Sequence, residues 1–525
     1  MSKPVTILSM LHEPAGRNSA TRLFRDEPVL AWTQRRLGRP ARVLCWEDQA
    51  AAARAAGADV CSRGARQSIG PIETVAAARR WADGWRGGLL GTCEFDRGFY
   101  GPWMLEIQQK TGADGVLLVD PAAGLVDPAL IDGLLAHADS LPDVDLCFSP
   151  AAPGLSGVLV RPSLLEKLAA GKTHPGVLLS YRPDIPRRDP ISEPACAPIP
   201  VPLARTTRRF TLDSESQIAR LTSATAHLNG QLISIDAMGL LATLEKTASI
   251  DPLPRELVME LNTRRATEPI YWPGGQLAIE REPISLERAE RLLRELSRRD
   301  DARLVLAGVG DPLLHEGLAG ILAAAHSAGI TAISVETDFV GASSANVSAL
   351  AASAVDIVSV HLPAATAATY RAVMGTDALA EAIDNLRLFM EKRQSLGRQT
   401  PLLAPTFTKC QRNLAEMEAW YDHWQRTLGC AVVTGPSDFA GLIPDVSAAD
   451  MSPPRRRPCV SLHKRLMALS DGTIVSCEQD VTARQPLGTT IETAWQAAQT
   501  LRDDHNLEQW NAHPACASCK QWHRP

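Results

Sequence analysis

The sequence predicts an α/β protein in three zones, and three observations carry that expectation. Short apolar runs alternate with helical stretches over residues 1–245. Repeated strand–helix units fill 250–450. Four cysteines with metal-ligand spacing close the chain over 459–525. The first pattern is that of a layered, Rossmann-like α/β domain. The second is that of a full or partial parallel (β/α) barrel. The third is a small module that needs a metal to hold its fold.

In the first zone strands are expected at 5–10, 41–46, 115–120 and 157–160, and a helix at 128–138. A Pro-rich stretch at 183–202 reads as an extended connection belonging to the same domain. In the second zone strands at 257–261, 303–307, 332–336 and 356–361 alternate with helices at 286–298, 318–328 and 379–392. Functional groups of such a barrel sit at the carboxyl ends of its strands. The basic segment 452–458, Ser-Pro-Pro-Arg-Arg-Arg-Pro, reads as a spacer.

Composition excludes several classes. With 525 residues and 45% hydrophobic content, the chain can bury several ordinary cores. A net charge of −5 gives no basic field for nucleic acid. No apolar run long enough for a membrane span is present, and the first ten residues turn polar too soon for a signal peptide. A reduced, cytoplasmic protein is expected, with most of its eleven cysteines in the core.

The strongest chemical signal is the tail. Twelve residues separate Cys459 from Gly472 and four more lead to Cys477; Cys516 and Cys519 form a C-x-x-C pair. Thiolates favour iron–sulfur clusters or zinc, and the glycine suits a tight turn before the third ligand. His505, His513 and His523 flank the site and serve as alternative ligands if the metal is zinc.

With Cys459, the run Ser470-Asp471-Gly472-Thr473-Ile474-Val475-Ser476-Cys477, Asp480, Trp495 and the closing Cys516-Ala517-Ser518-Cys519, the tail resembles the SPASM domain, or its shortened twitch form, of radical S-adenosylmethionine enzymes. The resemblance implies one [4Fe–4S] cluster on Cys459, Cys477, Cys516 and Cys519; a structural zinc site is the alternative. The second zone is similar to the radical S-adenosylmethionine barrel. Residues 304–315, Leu-Val-Leu-Ala-Gly-Val-Gly-Asp-Pro-Leu-Leu-His, resemble the segment that holds the amino group of S-adenosylmethionine in that family, which would assign Gly308, Gly310 and Asp311 to it; a plain strand-to-helix turn is the other reading. The family's three cluster cysteines are missing. Arg265, Pro269 and Trp272 stand in their places after Met259-Glu260-Leu261-Asn262-Thr263, and none of them binds iron as a thiolate does.

In the first zone, Arg17-Asn18-Ser19-Ala20-Thr21-Arg22, the run Leu118-Val119-Asp120-Pro121 and Arg209-Phe210-Thr211-Leu212-Asp213 resemble the cytidylyltransferase branch of sugar nucleotidyltransferases, with a glycosyltransferase-A-like fold. That resemblance implies a nucleotide or nucleotide sugar held by Arg17 and Arg22, and Mg²⁺ held by Asp120 and Asp213. The family's loop lysine is absent. The combination of domains resembles the spiro-SPASM proteins. Three functions follow as expectations: a nucleotide-sugar enzyme or binder, in surface-glycan or flagellar glycosylation; a non-enzymatic iron–sulfur scaffold or electron-transfer partner of another protein; and a radical enzyme with other cluster ligands. Cys410 and Cys430 are candidates for the last and read more simply as core residues.

Overall fold

The computed structural model describes residues 3–184, 189–247 and 251–524. They divide into two compact units, Met1–Ser249 and Ile250–Pro525.

The first unit opens with β1 (Val5–Ser9), a small hairpin of β2 (Leu23–Phe24) and β3 (Glu27–Pro28), then β4 (Arg42–Cys45), β5 (Asp59–Ser62), β6 (Val116–Val119), β7 (Leu146–Phe148) and β8 (Gly157–Val160). The main sheet runs β5-β4-β1-β6-β8-β7. β5, β4, β1 and β6 are parallel, whereas β8 is antiparallel to both β6 and β7. β6 is Val-Leu-Leu-Val, buried throughout, as a central strand covered on both faces requires. Asp127 caps the helix Pro128–Ser140 by accepting from Ala129 N at 2.9 Å, with proline at its first position. The chain leaves β1 for β4 on one side and returns to β6 on the other. The carboxyl ends of β1 and β6 therefore flank a topological switch point, where sheets of this kind receive ligands.

β5 and β7 were not among the expected strands. β5 is a half-exposed edge and β7 has three residues, so neither gives a clear alternation. The Pro-rich stretch is not uniformly extended: it holds the turn Pro190–Ser192 and enters the helix Val201–Arg205, and its residues 185–188 lie outside the described residues.

The second unit carries β9 (Glu256–Met259), β10 (Arg303–Leu306), β11 (Ala332–Thr337), β12 (Ile357–His361), β13 (Leu402–Thr408), β14 (Val432–Thr434), β15 (Arg465–Ala468) and β16 (Ile474–Val475). Its sheet runs β14-β13-β12-β11-β10-β9-β15-β16, with β9 to β14 parallel and in sequential order. No pairing of β14 with β16 closes the sheet among the described residues, so the barrel is partial.

The tail, 459–525, belongs to the same compact unit as the barrel strands. β15 pairs parallel with β9, setting Leu466 beside Leu257 and Met467 beside Val258. Leu466, Ala468, Ile474, Ile491 and Trp495 belong to the same apolar core as Leu257, Leu304 and Val335. A segment this short buries too little of its own surface, and the free edge of β9 supplies the rest. Segment 452–458 is not a free spacer. Arg456 donates to Cys516 O at 2.7 Å and lies 4.8 Å over the Trp510 ring. Among the described residues no helix is long and apolar enough to cross a membrane.

Because the hairpin and the barrel strands share one core, Leu466→Ala should cost about 2–5 kcal/mol. Hydrogen exchange should show β9, β10 and β15 losing protection together; exchange confined to β15 and β16 would contradict a shared core.

Candidate functional site

The four tail cysteines arrive from separate segments. Cys459 precedes the short turn Val460–His463, and its N–H donates to His505 Nδ1 at 3.3 Å. Cys477 follows β16. The hairpin before it turns at Gly472, whose φ of +94° few other residues adopt and where a Cβ would meet Arg288 Nε at 3.0 Å. Cys516 lies in the short helix Pro514–Ala517, and Cys519 N donates to Cys516 O at 3.2 Å. All four thiols are free. Gln521 N donates to Cys519 Sγ at 3.2 Å, and the Gln479 backbone N–H donates in the same way to Cys477. N–H groups aimed at sulfur favour the thiolate form.

The thiols feel one another. Burial, then Glu478 and Cys459, push the Cys477 thiol well up, with Cys519 adding to it. Burial, Cys519 and Cys459 push Cys516 up to about 12, and burial and Cys459 push Cys519 up to about 11. Four soft donors in mutual electrostatic range, Cys516 buried and the other three half-buried, form a donor set that fits an iron–sulfur cluster. Among the described residues, no group of three or more His, Cys, Asp or Glu side chains converges on a single metal ion. Of the flanking histidines, His505 bonds to the Cys459 backbone. His513 instead pairs with Asp504 at 2.9 Å and Gln485 at 3.0 Å.

At the carboxyl ends of the barrel strands the structure builds a buried ion pair. Arg265 Nε and Nη2 reach the two oxygens of Asp338 at 2.7 Å each, with side chains 6% and 1% exposed. Thr267 Oγ1 also donates to Asp338, and His361 Nδ1 lies 3.1 Å from it. The Arg265 guanidinium stacks 4.4 Å over Trp272, and Trp272 Nε1 donates to Val309 O at 2.8 Å. Two of the three residues standing in the cysteine positions thus pack on each other. Burial would raise the Asp338 carboxyl, but Arg265 and the His361 bond outweigh it and hold it far below the usual carboxylate range.

The Gly308–Asp311 turn is satisfied from within. Asp311 Oδ2 accepts from Thr337 Oγ1 at 2.9 Å and Asp338 N at 2.8 Å, and its Oδ1 from Leu313 N at 2.8 Å. A Cβ on Gly308 would meet Glu260 Cγ at 2.6 Å, and one on Gly310 would meet Asn262 O at 2.4 Å. Both glycines permit close packing of the turn on the end of β9. Cys410 and Cys430 are both buried, Cys410 in the common core.

In the first unit, Asp120 follows β6 and Asp213 comes from the segment before the helix Glu215–Ala224. The structure joins them through a residue that the sequence did not single out. Arg97 Nη1 lies 2.9 Å from Asp213 Oδ2, 3.0 Å from Glu94 Oε1 and 3.7 Å from Asp120 Oδ2. Asp120 Oδ2 is buried without a hydrogen-bond partner. Burial, against the pull of Arg97 and with the push of Glu94 and Glu13, takes Asp120 up to about 7. His12 and Glu13 follow β1 into the same cluster; burial and Arg97 lower His12 to about 3. Arg22 bears on Glu13 and lies 3.9 Å from Glu215 Oε1, whereas Arg17 sits on the exposed part of the loop. Loop residues such as Arg97 carry no periodic signal. His12, Glu13 and Asp338 were signalled only by being polar residues directly after apolar strands.

No family model matches the chain. An uncharacterized protein of Treponema pallidum (strain Nichols) is 26% identical over 307 residues, covering 55% of this chain and 82% of that protein. Among solved structures, Streptococcus suis SuiB bound to its precursor peptide SuiA is 13% identical, with a TM-score of 0.41 over 60% of this chain and 85% of SuiB. A cytidylyltransferase from Leptospira borgpetersenii is 14% identical, with a TM-score of 0.31 over 47% of this chain and 94% of its own.

Asp338→Asn leaves the Arg265 charge buried without its counter-charge and should cost about 3–5 kcal/mol. The sign with pH follows from the depressed carboxyl. Below about pH 4 the unfolded state takes up a proton that the folded state does not, so stability falls as pH falls. Urea unfolding between about pH 7 and pH 3 should show that acid loss in the parent and a shallower one in the variant.

Proposed function

We propose that this chain is an iron–sulfur protein of radical S-adenosylmethionine descent whose barrel does not generate radicals, combined with a first unit that binds a nucleotide or nucleotide sugar. The observation that carries the reading is the gathering of Cys459, Cys477, Cys516 and Cys519, all free, from separate segments of the tail. Residues 459–525 are then a SPASM-like module built onto the barrel's sheet. Each thiolate of a cubane binds a different iron, so the sulfurs need mutual proximity rather than convergence on one point. When bound, such a group supplies one-electron transfer. The Gln479 and Gln521 N–H groups would hold Cys477 and Cys519 in their ligating form, while Arg456 fastens the segment before Cys459 to the C-x-x-C turn.

The silent barrel is supported by Arg265, Asp338 and Trp272. Their contacts fill the strand ends where the missing triad would hold iron, and the polar groups of the Gly308–Asp311 turn are engaged internally instead of offered to S-adenosylmethionine. The nucleotide role draws on the charged cluster at the switch point of the first unit. Modification of a surface glycan or flagellar protein is the cellular setting this reading favours, with the iron–sulfur unit passing electrons to, or holding, a protein partner.

Anaerobic purification should give a brown protein absorbing near ~400 nm with about four irons and four sulfides per chain. Serine at any one of the four cysteines should lower the iron content. Reduction with S-adenosylmethionine should release no 5′-deoxyadenosine. A colourless protein with one zinc per chain would replace the cluster by a structural zinc site, and 5′-deoxyadenosine would restore the radical reading.

A further inference from the structure

The resemblance of the first unit implies Mg²⁺ between Asp120 and Asp213, and the residues around them do not fit it. A magnesium ion draws carboxylate oxygens to about 2.0–2.1 Å and demands near-octahedral space. Here Arg97 Nη1 already stands 2.9 Å from Asp213 Oδ2 and 3.7 Å from Asp120 Oδ2, and Glu94 holds the same nitrogen at 3.0 Å. Arg209 bonds to the same oxygen of Asp213 from another direction. The side chains of Arg97, Asp120 and Asp213 are 20%, 7% and 11% exposed, which leaves the guanidinium little freedom to step aside.

The loop that delivers Arg97 is fixed in place. Ser9 Oγ, at the end of β1, donates to Gly98 O at 2.6 Å. Gly98 has φ +68°, and a Cβ there would come within 2.8 Å of both Ser9 O and His12 Nδ1. One residue before Arg97, the buried carboxylate of Asp96 accepts from Cys93 N at 2.6 Å and Gly176 N at 2.9 Å. The backbone on both sides of Arg97 is therefore held against the scaffold, and its charge is aimed at the carboxylates after β6 and before the helix Glu215–Ala224.

We propose that Arg97 is the resident cation of the switch-point cluster, standing where a divalent ion would bridge Asp120 and Asp213, so that this unit holds its nucleotide-class ligand without a metal. The phosphate charge then falls to the loop arginines, Arg17 and Arg22. The inference rests on the nucleotide reading above, and its test separates the two.

With the full chain and Mn²⁺ alone, paramagnetic resonance of the free ion should give the same signal for the parent and for Asp120→Asn. Arg97→Gln, checked for folding by circular dichroism, should bind Mn²⁺ about tenfold or more tightly than the parent. Parent binding of Mn²⁺ that Asp120→Asn removes would overturn the proposal, as would a folded Arg97→Gln protein with no gain. If Arg97→Gln does not fold, the comparison of the parent with Asp120→Asn decides alone. Calorimetry with CTP should give the same affinity in EDTA as in Mg²⁺; binding seen only with Mg²⁺ overturns the metal-free proposal but keeps the nucleotide reading. CTP bound under neither condition rejects the nucleotide reading, and the Mn²⁺ comparison then judges Arg97 by itself.

Discussion

The second unit depends on one buried carboxylate. Glu260, fully buried at the end of β9, accepts from Arg281 Nε and Nη2 at 2.9 Å each, from Val309 N at 3.0 Å and from Ser470 N at 3.2 Å. A charge taken out of water is tolerated only when it is paired and hydrogen-bonded this fully. These bonds fasten the end of β9, the turn after β10 and the hairpin between β15 and β16 at one point. The glycine at 308 is a consequence, since any side chain there would collide with Glu260. The hairpin that leads to Cys477 is thereby fixed to the barrel instead of trailing behind it.

From that point two sites diverge in character. On the barrel side the groups satisfy one another: Arg265 with Asp338, Trp272 with Val309 O, Asp311 with Thr337 and two backbone N–H groups. Such a network is rigid, because removing one member strands a buried charge or dipole. On the tail side the Gln479 and Gln521 N–H groups and Ser476 Oγ donate to the thiols, and burial disfavours the ionised form of Cys477, Cys516 and Cys519. The proposed soft metal centre would favour their thiolate form. The loop carrying Phe439 and Ala440 touches both: Phe439 meets Trp272 edge-on at 5.6 Å, and Ser518, between the paired cysteines, donates to Ala440 O at 2.6 Å.

The first unit repeats the theme of internal charge satisfaction at its own switch point. Glu94, Asp120 and Asp213 share Arg97, while Arg79 takes the other Glu94 oxygen and Arg209 joins Arg97 on Asp213 Oδ2. A crevice arranged for ligands by topology is thus provided with cations from the chain itself.

Much of this was legible in the sequence. Apolar runs such as Val116–Val119 and Arg303–Leu306 mark buried strands because a parallel sheet covers both faces of each strand. The cysteine spacing and the turn glycine at 472 marked the tail site, since ligand spacing and positive φ are local properties. The absence of cysteine at 265, 269 and 272 could likewise be read residue by residue. What fills their place could not. The partners of Arg265 and Arg97 lie 73 and 116 residues away in the chain, at Asp338 and Asp213, and β15 finds β9 across the whole barrel. Long-range pairing of charges and strand edges depends on where the folded sheet brings chain ends together. The sequence alone therefore determined most of the strands and helices and the four tail cysteines as candidate ligands, and only the tertiary structure decided that the tail shares the barrel's core and that both carboxylate sites are already occupied by arginines.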